Sequence, residues 1–337
     1  MKRILFIVIM VALYFCETKA QFDAQLTNYW AAIGYFNPAY AGQSGKLEAT
    51  ALTRMQWLGI KNAPQSTIVT ASLPYQLLGK THGFGGSMYN DRAGLFSVSM
   101  FAGQYAWKKK IFKGDFSAGL QVGMINQSFD GTKIEIPEDD YHDQSDPALP
   151  ASMVEGKSID ASLGVFYSKK KWYAGLSVAH LLAPEINLNE TNIYEIPRTY
   201  YFLNGYNIPL SNPLLELRPV LLVKTMEMSA VYLDDDSISK VETNVLKAML
   251  RNSQIDVSVR MYYYDKFWGG LTWRNGDAVG LMLGMQFKML EIGYAYDFPI
   301  SVVKRETTGS HELFLRYSMD INFKKKGKDK HKSVRFL

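Results

Sequence analysis

The stretch from His311 to Phe323 alternates strictly. Leu313, Leu315, Tyr317, Met319, Ile321 and Phe323 fall on one face. Glu312, Arg316, Ser318, Asp320 and Asn322 fall on the other, with Phe314 the one exception. Only an extended strand sorts neighbours into two faces at period two; a helix would spread them around its circumference. Residues 254–263 and 115–124 repeat the pattern, the first with Ile255, Val257, Val259, Met261 and Tyr263 on the apolar side. Fourteen such segments run at about 47–57, 66–73, 83–90, 95–107, 115–128, 157–168, 171–180, 198–207, 214–224, 253–264, 266–274, 277–287, 288–297 and 311–323. Their lengths cluster near ten, which suits a tilted strand crossing a bilayer. Their number is even, as bacterial outer-membrane barrels require.

The connections separate by parity. Those at 74–82, 108–114, 169–170, 208–213, 265 and Lys288 are mostly short, and four carry lysines. Those at 129–156, 181–197, 225–252 and 298–310 are long, while 91–94 and 275–276 on the same side are short. Short periplasmic turns and long outer loops are the barrel signature. In hydrocarbon every backbone polar group must pair, so a membrane sheet closes on itself. The expected fold is therefore all-β: a closed antiparallel transmembrane barrel of about 14 strands. The 21 tyrosines and six tryptophans fit interfacial girdles, with Tyr262–Tyr264, Phe267-Trp268 and Lys171-Trp172-Tyr173 beside short turns. A soluble β-sandwich, its apolar face turned into a core, is the competing fold; export signal, strand length, strand number and loop parity favour the barrel.

Met1-Lys2-Arg3 followed by the apolar run 4–15 reads as a secretory signal peptide, cleaved after Thr18-Lys19-Ala20. A lipoprotein signal at Cys16 would need small residues where Tyr14 and Phe15 stand. Cleavage removes the single cysteine, and with it disulfides, thiolate metal sites and cysteine nucleophiles. Of the net +5, the signal carries +2 and the tail after Phe323 carries +6, so the body 21–323 is −3. The basic balance belongs to a tail and gives no argument for nucleic acid.

Chemistry is sparse. The histidines at 82, 142, 180, 311 and 331 lack metal-ligand spacing. Gly83-Phe84-Gly85-Gly86 opens no phosphate loop; its glycines relieve crowding in a strand or permit a bulge. No Gly-x-Ser-x-Gly elbow occurs. No catalytic, cofactor or metal residue is expected. The acidic loop 130–146 would hold Ca²⁺ or, more in keeping with its spacing, be a solvated outer loop. The tail 324–335 would contact acidic lipid, a partner or cell-wall polymer, or serve as a solubilising end.

Four segments carry a more specific pattern. They are Gln25–Trp30 with Asn37-Pro38-Ala39-Tyr40-Ala41-Gly42; Arg54-Met55-Gln56-Trp57-Leu58-Gly59; Ala63-Pro64-Gln65-Ser66-Thr67; and Ile292–Ser301 with Tyr294, Tyr296 and Asp297, followed by Gly309-Ser310-His311-Glu312. In this order, across nearly the whole mature chain, they resemble the PorP/SprF family of the Bacteroidetes type IX secretion system. The resemblance implies a non-enzymatic outer-membrane component, required for export or surface attachment of particular cargo such as gliding adhesins. It implies outer-membrane lipid, the secretion ring and motor proteins and a secreted cargo as partners, and no cofactor. A passive porin or uptake channel is the alternative, and a barrel enzyme a third reading. This chain departs from the family in its tail and in the long 225–252 connection.

On physical grounds, Pro38 and Gly42 make 37–42 a turn into the first strand. The expected layout is a periplasmic N-terminal segment at 21–46, the barrel at 47–323 and a basic tail at 324–337. Arg54 shares a polar face with Glu48 and Gln56, the setting for a luminal ion pair. Asp297 and Glu312 lie at the outer ends of the last two strands, placed to hold the seam.

Overall fold

The computed structural model describes residues 23–77, 79–134, 152–188, 193–227, 230–233, 239–242, 249 and 252–321. The signal stretch 1–20, most of the acidic loop 130–146 and the tail 324–337 lie outside them. Fourteen strands make the wall: β1 Lys46–Met55, β2 Gln65–Leu77, β3 Lys80–Ala93, β4 Phe96–Ile111, β5 Gly114–Asp130, β6 Met153–Lys169, β7 Trp172–Ala179, β8 Thr199–Tyr206, β9 Leu215–Met226, β10 Gln254–Tyr263, β11 Phe267–Arg274, β12 Ala278–Phe287, β13 Leu290–Pro299 and β14 Ser310–Asp320. Each pairs antiparallel with its chain neighbours, and β1 pairs with β14, so the ring closes. Ile208–Pro209 is a two-residue spur on β9. At the seam Lys46 stands opposite Asp320 and Arg54 opposite Glu312.

Side-chain parity follows the alternation in the sequence. Leu120, Val122 and Met124 of β5 and Leu281 and Leu283 of β12 point outward, each more than two-fifths exposed. Gln121, Ser162, Ser258 and Thr272 point inward and are buried. An apolar exterior and a polar interior are the reverse of a soluble core and match a wall bathed in lipid. Short turns gather at one end, among them 112–113, where Phe112 and Lys113 both adopt positive φ of 51° and 62°. That is the primed-turn geometry that matches strand twist. The long connections gather at the other end, where Glu185–Asn187 pairs with Ile193–Glu195 and Ala230–Leu233 with Ser239–Glu242. By the usual rule the short-turn end, which holds the start of β1 and the end of β14, faces the periplasm.

The lumen is occupied. Residues 23–45 enter it at the outer end and descend to β1 through short 3₁₀ and α turns at Tyr29–Ala31, Ile33–Phe36 and Pro38–Tyr40. This inner segment touches strands on every side of the ring: Asp297 of β13, Val220 of β9, Gln104 of β4, Ser177 of β7. A chain that reaches all of these can only lie inside. The sequence reading set 21–46 apart as a periplasmic segment, and the structure corrects it. The reason is hydrophobic: Tyr29, Trp30, Ile33, Tyr35 and Phe36 are all buried, and enclosing each contributes roughly 1.5–3 kcal/mol that a periplasmic arm would forgo.

The aromatic girdle needs a similar correction. Tyr263, Tyr264, Phe267 and Trp172 do face outward near the short turns. Tyr262 and Trp268 do not; both are buried and pack inside, beside Trp30 and Phe314. Phe314, the exception in the last strand's alternation, is an inward aromatic because an aromatic from the inner segment meets it there.

Candidate functional site

The inner segment and the faces that grip it form the most elaborate polar arrangement among the described residues. Arg54 is 2 % exposed. Its Nη2 lies 2.8 Å from Asp297 Oδ2 and its Nη1 3.3 Å from Glu312 Oε2. Nη1 also donates to Thr27 Oγ1 at 2.9 Å, and that hydroxyl donates onward to the Asp297 carboxylate at 2.7 Å. Glu312 completes its shell with the backbone N–H groups of Thr27 and Asn28 at 2.8 and 2.6 Å. Arg274 continues the network. It donates to Asp256 at 2.7 Å, to Asp277 at 3.0 Å and to the Leu26 carbonyl at 2.8 Å. Buried charges persist only when paired and hydrogen-bonded, and each carboxylate here has a guanidinium within reach. The network ties β1, β10, β11, β13 and β14 to residues 26–28.

Below it lies an aromatic layer. Trp30 meets Trp268 and Phe314 edge-on at centroid distances of 5.1 and 5.3 Å. The Arg260 guanidinium sits 3.5 Å over the Trp30 ring. Tyr29 donates its hydroxyl to the Val220 carbonyl at 2.8 Å.

The 37–42 motif sits lower still. Asn37 caps the 3₁₀ turn at Pro38–Tyr40 by accepting from Ala39 N at 2.9 Å. Its Nδ2 donates to Val165 and Leu176 carbonyls at 3.0 and 3.2 Å, so the motif is pinned to β6 and β7. Ala39 is fully buried against β5, where a Cβ on Gly119 would come within 2.3 Å of its nitrogen. Tyr40 packs edge-on to Phe166 at 5.4 Å. Gly42 has φ +63°, and a Cβ there would strike the Leu73 carbonyl at 2.7 Å.

The remaining motif residues stand at the outer rim. Gln56 donates to Gln25 Oε1 at 3.2 Å, and its backbone N–H donates to the Pro64 carbonyl at 2.9 Å. Trp57 N donates to Ser310 Oγ at 3.1 Å. Leu58 and Gly309 share a backbone bond at 2.8 Å, and Gly59, at φ +103°, turns beside Glu306. The first and last outer loops are thereby stitched together over the seam. Tyr294 and His311 share a hydrogen bond of 2.6 Å on the outward face, and Tyr296 donates to the Thr308 carbonyl. The structure thus gathers Arg54, Asp297 and Glu312 at one point, the 37–42 motif at a second and the rim residues at a third.

Sequence reasoning placed Thr27 only within the Gln25–Trp30 motif and did not single out Asp256 or Arg274. It also missed the group at the top of the inner segment, where His180, just past β7, bonds Asp160 at 2.8 Å and Asp23 at 3.1 Å. Burial alone would lower the His180 pKa; the facing carboxylates Asp23 and Asp160 outweigh it and hold it at about 10. Burial alone would raise Asp23, and His180 and Lys224 outweigh that, holding it at about 2. Tyr201 also donates to Asp23. The sequence signal for these residues was their inward parity, which becomes legible only once the lumen is known to be filled.

No curated protein sequence matches the chain. Among solved structures, it is similar to a Pseudomonas aeruginosa FadL homologue at 9% identity and a TM-score of 0.48, covering 87% of this chain and 94% of that one. The toluene transporter TodX of P. putida gives 10% identity and 0.45, covering 85% and 93%. BamA from Haemophilus ducreyi lacking POTRA domains 1–3 gives 9% and 0.41, covering 81% and 70%. The closed ring and its apolar exterior make the chain an outer-membrane protein. Residues 18–317 match the family described as type IX secretion system membrane protein PorP/SprF, so the chain belongs to the PorP/SprF family of type IX secretion system membrane proteins.

Proposed function

We propose that this barrel is a non-enzymatic accessory of type IX export, required for export or surface attachment of particular cargo, gliding adhesins among them, and docked to the periplasmic ring and motor proteins. Family membership supplies the secretion system. The observation that carries the accessory reading is the filled lumen: residues 23–45 run down the axis and are gripped from every side. A solute channel would need that path open. A docking component needs instead a stiff wall with a fixed periplasmic face, which the network and the aromatic layer support. The motif residues serve the fixed lumen rather than substrate turnover.

Deleting the gene and following type IX cargo in culture fluid and on the cell surface tests the reading. Loss of a cargo subset from the surface is expected. Arrival of every cargo at the surface would end it.

A further inference from the structure

At the short-turn end, where the inner segment leaves the lumen for β1, a cavity of about 560 Å³ opens. Its floor is the glycine-flanked stretch Gly42–Gly45, and its sides come from the ends of β2, β3, β4 and β5. Lys80, Lys108, Lys109 and Lys110 line it against a single carboxylate, Asp115. Asp115 is committed to Lys110 at 3.3 Å, in an exposed pair. Lys108 lies on the inward face of β4. Its Nζ donates to Gln43 Oε1 at 2.7 Å and Ser117 Oγ at 3.3 Å, and no carboxylate stands within ion-pair distance among the described residues. Lys80 and Lys109, on the outward sides of their strands by alternation, line the cavity beside inward Lys108, and none of the three has an ion pair among the described residues; the space is of ligand-site size.

We propose that this cavity binds an acidic peptide segment presented from the periplasm. Two features favour a peptide over a lipid headgroup. The floor is the inner segment itself, and Lys108 and Asp115 project inward, so the cavity reaches the luminal mouth. The lysines also stand on two adjacent strand ends, Lys80 on β3 and Lys108–Lys110 on β4, an array that meets carboxylates spaced along an extended chain. A carboxylate at Lys108 replaces the neutral Gln43 acceptor with a charged one, and charge-assisted bonds are the stronger kind. The site deepens the docking reading above and rests on it only for the source of the peptide.

The test uses the full chain in nanodiscs of zwitterionic lipid, with fluorescein-labelled hexaglutamate followed by anisotropy. Lys80→Gln, Lys108→Met and Lys109→Gln combined are expected to weaken binding about tenfold or more, and added salt to weaken it further. Lys266→Gln with Lys288→Gln, on other turns of the same rim, is expected to leave it within about twofold. Equal weakening by the two sets, or none by the first, overturns the site. So does inorganic phosphate, or an anionic-lipid nanodisc, competing as well as the peptide. Heat-modifiable gel mobility reports whether each variant is folded. If Lys108→Met fails that check, charge reversal at the exposed Lys80 and Lys109 carries the test, with abolished binding expected and unchanged binding fatal. Binding is read on purified protein and export in the deletion strain, so the two readings fail separately.

Discussion

Arg54 of β1 lies 2.8 Å from Asp297 of β13, although β14 stands between their strands. The guanidinium reaches over the closure and also holds Glu312 on β14. Removing it leaves Glu312 buried without a guanidinium and Asp297 with only Arg274, at 3.4 Å. Arg54→Met is expected to destabilise the barrel by about 3–5 kcal/mol, the usual cost of breaking a buried pair from one side. Urea unfolding followed by gel mobility measures it. A loss under about 1 kcal/mol would mean the pair is solvated and the seam held elsewhere.

Gly119 tests the fit of the 37–42 motif. A Cβ there would come within 2.3 Å of Ala39 N and 2.5 Å of the Pro38 carbonyl carbon, both backbone. Gly119→Val is expected to lift the motif off β5 while the strands stay paired. An engineered Ala39→Cys, unreactive toward a membrane-impermeant maleimide in the parent, should label rapidly in that background. Equal labelling in both would contradict the placement.

Trp30 anchors the aromatic layer and carries Arg260 on its face. Trp30→Ala is expected to cost about 3–5 kcal/mol as a large-to-small change in a packed site, with Arg260 losing its ring. Trp30→Phe should cost clearly less. Unfolding midpoints of the two variants separate packing from a bystander role.

The His180 and Asp23 pair makes stability depend on pH. His180 is held at about 10 against an ordinary 6.5. Its contribution is therefore complete below pH 6.5 and lost as pH rises toward 10. Asp23, held at about 2 against 3.8, contributes above 3.8 and is lost as pH falls toward 2. The unfolding midpoint should decline between neutral pH and pH 10, and His180→Gln should flatten that decline. An unchanged slope in the variant would show that other groups set it.

The wall was readable from alternation alone, because lipid outside and polar groups inside impose period two on every strand. All fourteen segments found their strands. Arg54, Asp297 and Glu312 were readable by parity and strand-end position. The inner segment was not. Tyr29 to Phe36 carry no period, since their burial is supplied by strands drawn from the whole ring. Its trace in the sequence lay elsewhere: in Phe314, an apolar residue on a polar face, and in inward glycines such as Gly119 and Gly164, whose missing side chains make room for Ala39 and Asn37. Those residues read as local irregularities until the segment that fills them is placed.

The filled lumen is the central claim, and planar-bilayer recording tests it most directly. The intact chain is expected to insert without stepwise conductance, while Gly119→Val should show intermittent openings as the segment loosens. A stable, solute-selective open channel from the intact chain would contradict the account and make the porin reading the better one.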